Sequence, residues 1–328
     1  MQYLGHLSKK DPLYGYLCHE IYPQLGADGR DGIRVFSSCS SHAVYIYEDR
    51  ASCVRAVGKF FADNGNDRER AKRKMYREYD NLNEFRKYTG ENHYIARPLG
   101  CNEFLNCLLV TEFCYGEGLD AVILQAIKNN NSSLLYAKLA ALGNFLATVH
   151  NRSAQVQKVD FHKVCRYFNN IVNQLEFIID YGEAQYLRSL CRKFRHDEKM
   201  YQDCEVAVHG DATPANFFFG DGMYVISFDL ERMAWADRLF DVGRLAGELK
   251  HFFLFNTGNK YSAEPFICHF LHEYCCHFPD CGRAFAAITA RLPFYMGQTL
   301  LRIARNSYLE RSYRRMLIDE AKLTLERG

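Results

Sequence analysis

The chain has 328 residues, 48% of them apolar and 24% charged, with only 7 Pro and a formal net charge of +2. That length and balance suit about two globular domains. The near-neutral charge excludes a global field for nucleic acid or polycations, and no uncharged apolar run approaches the roughly 18 residues of a membrane helix.

In chain order, the N-terminus MQYLGHLSKKDPLYGY has neither the basic start nor the apolar core of an export signal, so a cytoplasmic location is expected. Residues 1–30 read as an extension with one short helix around Leu13–Leu25, closed by the turn-rich GADGRDG. Three strand-like runs follow at Ile33–Ser37, Ala43–Tyr47 and Cys53–Phe61, joined by turns at Ser38–His42 and Glu48–Ser52. A charged helix is predicted from about Asp67 to Tyr88. Met75, Tyr79 and Leu82 form its apolar stripe, and Glu78 sits on the inward edge. Strands at Gly100–Leu105 and Cys107–Phe113 complete a small antiparallel sheet with one helix. After Gly116–Gly118 the pattern turns helical. Ala137–His150 carries Leu139, Leu142, Leu146 and Val149 at helical spacing, and helices continue through Phe161–Tyr181 and Glu183–Arg195. Short strands are predicted at Glu205–Val208, Phe217–Phe219 and Tyr224–Phe228. The remainder is helical from Asp237, with breaks near Gly258 and Pro279. The expected fold class is therefore α+β, with an extension at 1–30, a sheet-bearing lobe at 31–115 and a mainly helical lobe at 116–328.

Thirteen cysteines, an odd number, in a chain without an export signal point to reduced thiols. Cys268, His269, His272, Cys275, Cys276, His277 and Cys281 could supply zinc ligands, but their spacing forms no clean paired motif. The same segment also reads as an amphipathic helix with Phe266, Phe270 and Tyr274 on one side.

The chemistry concentrates between Val208 and Asp241. Asp211 follows a strand ending at Val208–His209–Gly210, where Gly210 permits a sharp exit. A carboxylate at the end of an apolar strand is costly unless solvated or used. It suits a general base for an acceptor hydroxyl, against the plainer reading of a turn aspartate. Asn216 could cap a turn or give a side-chain oxygen to a hard cation. Asp229 follows the apolar run VISF, and Glu231 shares its side if the chain stays extended; the pair suits Mg²⁺, against a surface turn. Asp241, in LFDVGRL, is expected to accept backbone N–H bonds and hold the loop, and His209 to be a hydrogen-bonded scaffold residue. Lys59, the lysine inside the apolar run VRAVGKFF, is costly to bury unless paired, and Glu78 is the natural partner. The alternative is an edge-strand lysine pointing to solvent.

With these residues assembled, the chain resembles the aminoglycoside phosphotransferase and choline kinase-like group, small-molecule kinases with the protein-kinase-like fold. His209–Gly210–Asp211 through Asn216 looks like the group's HGDxxxxN catalytic loop, and Asp229–Leu230–Glu231 resembles its metal-binding segment. Asp241, Lys59 and Glu78 are similar to the group's helix acid, phosphate lysine and helix glutamate. Leu109–Phe113 followed by Gly116–Leu119 looks like its interlobe linker, where the backbone at Glu112 and Cys114 would meet adenine. The resemblance spans residues 31 to about 255 and implies a bilobal fold, ATP or GTP, and Mg²⁺ on Asn216, Asp229 and Glu231. One departure is the loop Ser37–His42, which has no glycine; backbone N–H groups and the hydroxyls of Ser38, Ser40 and Ser41 would cradle the phosphates there instead.

The implied activity is transfer of the γ-phosphoryl group to a hydroxyl of a small molecule: a sugar, an amino alcohol or an antibiotic-like compound. From Arg291 to Gly328 there are 8 basic residues against 4 acidic, which leans toward a neutral or anionic acceptor. Asp211→Ala is expected to abolish transfer and leave the fold intact. The rival reading is a non-catalytic nucleotide-binding or interaction module on the same fold, favoured by the glycine-free loop. A zinc-dependent protein built around Cys268–Cys281 is the third.

Overall fold

A computed structural model describes residues 1–37, 43–62, 67–129 and 131–328. Its elements begin with β1 (Gln2–His6), α1 (Pro12–Tyr16), β2 (Ile33–Ser37), β3 (Ala43–Asp49), β4 (Arg55–Phe60) and α2 (Arg68–Arg86). Next come β5 (His93–Ile95), β6 (Pro98–Asn102), β7 (Leu108–Glu112), β8 (Glu117–Gly118), α3 (Leu119–Asn129), α4 (Ser133–Arg152), α5 (Phe161–Asn173) and α6 (Tyr181–Arg195). The chain continues through β9 (Val206–Val208), β10 (Phe217–Phe219), β11 (Val225–Ser227) and β12 (Ala234–Ala236). It closes with α7 (Leu239–Thr257), α8 (Glu264–Cys275), α9 (Cys281–Ala304) and α10 (Arg311–Glu326). Two compact units result: one of Met1–Lys87, Tyr94–Gly116 and Ile226–Arg232, the other of Tyr88–His93, Glu117–Val225 and Met233–Gly328.

The first unit is built on an antiparallel sheet ordered β1-β2-β3-β4-β7-β6. Strand alternation divides β4 between the two faces. Ala56, with Leu108 and Val110 of β7, faces a core closed by Leu17, Ile21 and Tyr22 of the N-terminal segment, all fully buried. Lys59 takes the other face. Gly58 is required where it sits, because a Cβ there would lie 2.7 Å from Cε2 of the buried Tyr47 ring and 3.1 Å from Leu108. Asp67 caps α2 by accepting from the amides of Glu69 and Arg70. The buried stripe of α2 is Ala71, Met75, Glu78, Leu82 and Phe85. Glu78 is thus central in the stripe and Tyr79 marginal, the reverse of the expected order.

The second unit is mainly helical and carries short antiparallel strand pairings. β9 pairs with β12, Val208 opposite Ala234, and β10 pairs with β8, Phe218 opposite Gly118. Several elements differ from the sequence expectation, among them the short strands β5, β8 and β12, which it did not include. β1 was not expected, because QYLGH is an exposed edge strand without alternating burial. α3 was not expected either. The helix predicted through Tyr181 ends at Asn173, and a new one starts at Tyr181 behind a capping box of Asp180 and Glu183. Among the described residues, all twelve cysteines carry free thiols, and no helix is long and apolar enough to cross a membrane.

Gly58→Ala should cost about 1–3 kcal/mol, the usual range for overpacking, because the added methyl would meet the buried Tyr47 ring. Denaturant unfolding of this variant, and of the same change combined with Tyr47→Leu, checks it. The second substitution should restore part of the loss; independent, additive effects would refute the contact.

Candidate functional site

In the first unit, β4 lies between β3 and β7, so Lys59 is on an interior strand and is 9% exposed. This removes the solvent-facing alternative. Its ammonium is 2.7 Å from Glu78 Oε2, 2.7 Å from Asp229 Oδ1 and 3.5 Å from Glu231 Oε2. Burial works against the charge on Lys59, but Glu78 and Asp229 outweigh it and raise its pKa. Glu78 is 3% exposed. Burial, reinforced by Asp229 and only partly offset by Lys59, pushes its carboxyl up to about 7. The two shifts agree physically: one ammonium among three carboxylates keeps its proton, and the acidic excess favours a further one. Carboxylate oxygens of Glu78, Asp229 and Glu231 all lie within 4.8 Å of one another.

The Asp229–Glu231 segment is not extended as the sequence suggested. Asp229 has φ of 60°, in the left-handed region. Leu230 is fully buried and its carbonyl accepts from Asn81 Nδ2 at 2.8 Å, three residues beyond Glu78 on α2. One helix therefore supplies the glutamate and fixes the acidic segment.

In the second unit, the His209–Asn216 loop is held from α7. Asp241, fully buried, accepts from the amides of His209 at 2.6 Å and Gly210 at 2.9 Å. Gly210 has φ of +79°, which lets two consecutive amides aim at one carboxylate. Fully buried His150 lies 3.3 Å from the same carboxylate through Nε2 and 2.9 Å from Tyr274 OH through Nδ1. Burial raises the Asp241 carboxyl, yet His150 and the loop donors outweigh it and hold the pKa below the ordinary value. Asp211 Oδ1 is bound by two guanidinium groups, Arg244 Nη1 at 2.7 Å and Arg302 Nη2 at 2.6 Å. Arg244 also donates to Gly210 O at 2.8 Å, and Arg302 to Glu248 at 3.2 Å. Asn216 Nδ2 donates to Asp211 O at 2.9 Å, closing the loop on itself.

The structure thus brings together Lys59, Glu78, Asp229 and Glu231 in one unit, and His209, Asp211, Asn216 and Asp241 in the other. Ser38, Ser40 and Ser41 lie outside the described residues. Glu112 is engaged at both ends of the residue: its amide donates to Arg97 O at 3.0 Å, and its carboxylate accepts from Arg97 N and Tyr94 OH. Burial first, then Glu112, push the Cys114 thiol up to about 12. Sequence reasoning missed His150, Arg244, Glu248 and Arg302. Arg244 and Glu248 carried a signal, since they follow Asp241 by three and seven residues and so share its helix face. His150 ends an apolar helical stripe, which also was legible. Arg302 carried none, because its partner is 91 residues away.

Residues 32–259 match the model of a family described as the phosphotransferase enzyme family. No curated protein sequence matches the chain. Among solved structures, an ethanolamine kinase from Plasmodium vivax is similar, with a TM-score of 0.61 at 12% identity over 96% of this chain and 86% of that one. The ADP-bound aminoglycoside phosphotransferase APH(2'')-Ib gives 0.58 at 13% identity, over 93% and 97%. The GDP complex of aminoglycoside 2'-phosphotransferase-IIIa gives 0.57 at 14% identity, over 96% and 97%. These likenesses establish the protein-kinase-like fold of small-molecule kinases, and the family match covers well over half the sequence: the chain belongs to the phosphotransferase enzyme family and is a phosphotransferase.

Proposed function

We propose that the chain moves the γ-phosphoryl group of ATP to a hydroxyl of a small molecule. Asp211 accepts the hydroxyl proton as the new oxygen–phosphorus bond forms and the bond to the ADP oxygen breaks. The observation that carries this is the company of Lys59: one ammonium against three carboxylates, a formal excess of two acidic groups on an all-oxygen donor set. A hard divalent cation fits that excess, and Mg²⁺ takes one or two carboxylates with phosphate oxygens. Asp229 and Glu231, with the side-chain oxygen of Asn216, would hold it. When bound, the metal supplies neutralisation of phosphate charge. Lys59, steadied by Glu78, binds the nucleotide phosphates, with Ser38, Ser40 and Ser41 along them and the backbone of Glu112 and Cys114 against adenine. Residues 31–115 would bind the nucleotide, and 116–328 would carry the catalytic loop and the acceptor site. GTP is the alternative donor, since similar proteins hold ADP and GDP.

The acceptor follows from the charges around Asp211. A cationic group beside it would meet Arg244 and Arg302, both bound to its carboxylate. That favours a neutral or anionic hydroxyl compound, such as a sugar or sugar phosphate, over an amino alcohol or aminoglycoside.

A screen of hydroxylated compounds read as ADP or GDP release tests the assignment. Asp211→Ala is a poor probe, because it leaves the buried Arg244 short of its carboxylate, at about 3–5 kcal/mol if the charge goes uncompensated. Asp211→Asn keeps the shape. It keeps one acceptor oxygen for Arg244 and Arg302 but not the charge, so it should lower acceptor-dependent release by at least about a hundredfold with a smaller loss of melting temperature than Asp211→Ala. Full activity in this variant would sink the role of Asp211.

The raised Glu78 pKa gives a stability prediction. A carboxyl whose folded pKa exceeds its unfolded value favours the protonated native state, so its contribution is present below about 4.5 and lost as pH rises toward 7. Without divalent cation, the melting temperature of the wild type relative to Glu78→Gln should fall across that window. A difference that is flat, or grows with pH, would show that Lys59 dominates Glu78.

A further inference from the structure

His272, Cys276 and Cys281 form a cluster that the phosphotransfer chemistry does not use. Their ligand atoms all lie within 4.8 Å of one another. His272 is near the end of α8, Cys276 caps its C-terminus four residues later, and Cys281 opens α9. Four residues on a helix bring two side chains to one face, and the short connection returns the third.

The distances discriminate between chemistries. Cys276 Sγ is 3.7 Å from Cys281 Sγ and 3.7 Å from His272 Nδ1. Around a tetrahedral zinc, with Zn–S about 2.3 Å and Zn–N about 2.05 Å, two sulfurs stand about 3.8 Å apart and a sulfur and a nitrogen about 3.6 Å. A disulfide would need the sulfurs about 2.05 Å apart. The connection is held independently of any ion. Asn144 Nδ2 lies 3.3 Å from His277 Nε2, Asn151 donates to His277 O at 3.1 Å, and Asp280 caps α9 by accepting from Arg283 N at 2.9 Å.

We propose that His272, Cys276 and Cys281 bind one zinc ion, with water in the fourth position, joining the C-terminus of α8 to the N-terminus of α9. The set has two soft thiolates and an imidazole, which selects zinc over the magnesium class. It is also chemically separate from the oxygen-only cluster around Lys59.

The test is zinc retained by the full chain after loading and gel filtration under reductant, with cobalt substitution as the spectroscopic probe. One equivalent per chain is expected, with a thiolate-to-cobalt charge-transfer band. Both should be lost in Cys276→Ser/Cys281→Ser while circular dichroism is unchanged. His272→Ala should weaken binding by at least about tenfold, the loss that even an outer-shell partner brings. Three outcomes overturn the proposal: no zinc retained by the wild type, equal retention by the double variant, or recovery of Cys276 and Cys281 as a disulfide in the presence of zinc.

Discussion

One face of α7 determines the loop that carries Asp211. Asp241, Arg244 and Glu248 are spaced three and four residues apart, so they stand in a row. Asp241 takes the amides of His209 and Gly210; Arg244 takes the Gly210 carbonyl and the Asp211 carboxylate; Glu248 takes Arg302, which returns to Asp211. A fully buried carboxylate is tolerable only when its oxygens are satisfied, and here the donors are mostly the loop's own backbone. Loop and helix are therefore interdependent. Loss of the left-handed turn at Gly210 would move an amide away from Asp241 and leave its charge uncompensated. The carboxylate position is inherited from a helix, the most rigid element available, although the residue itself sits in a loop.

Asp229 meets a different constraint. An extended strand would set Asp229 and Glu231 about 6.6 Å apart with parallel side chains. The left-handed φ at Asp229 turns the chain so that both reach Lys59. A non-glycine residue there costs about 1–3 kcal/mol and persists only where its surroundings over-determine it. They do: Leu230 is fully buried, its carbonyl is held by Asn81, and both flanking carboxylates face the same ammonium. The convergence of acidic oxygens is what the strain achieves, and convergence is what a divalent cation requires.

Much of this was legible locally. Alternation gave β2 to the residue, and helical spacing found α2 and α4, because burial on one face leaves a period in the sequence. The cluster from His209 to Asp241 could be recognised because its members lie within one short stretch. The Lys59–Glu78 pairing followed from the cost of an unpaired buried lysine. What failed was either non-periodic or distant. β1 is an exposed edge strand whose pairing comes from β2, not from its own side chains. Tyr79 looked like part of the apolar stripe because hydrophobicity, unlike a salt bridge, is written in one residue; the bond that draws Glu78 inward needs Lys59. Arg302 could not be assigned to Asp211 from spacing at all.

The two acidic centres differ in how their charge is balanced, and the difference bears on what each can bind. Around Lys59 the carboxylates outnumber the cation, so the deficit is positive charge. Around Asp211 two guanidinium groups face Asp211 and Glu248, and the formal count is even. Glu248, however, is buried, and burial raises its pKa despite Arg302 and Arg244. Burial and the adjacent Arg302 conversely lower that of Arg244. Any protonation of Glu248 leaves Asp211 facing two cations, and the local balance turns positive. Such a centre gains from a negative group on a bound molecule and loses from a positive one, because charges in a partly dry environment are screened far less than in water. The residues that fix the Asp211 carboxylate therefore also set the charge that any molecule beside it would meet.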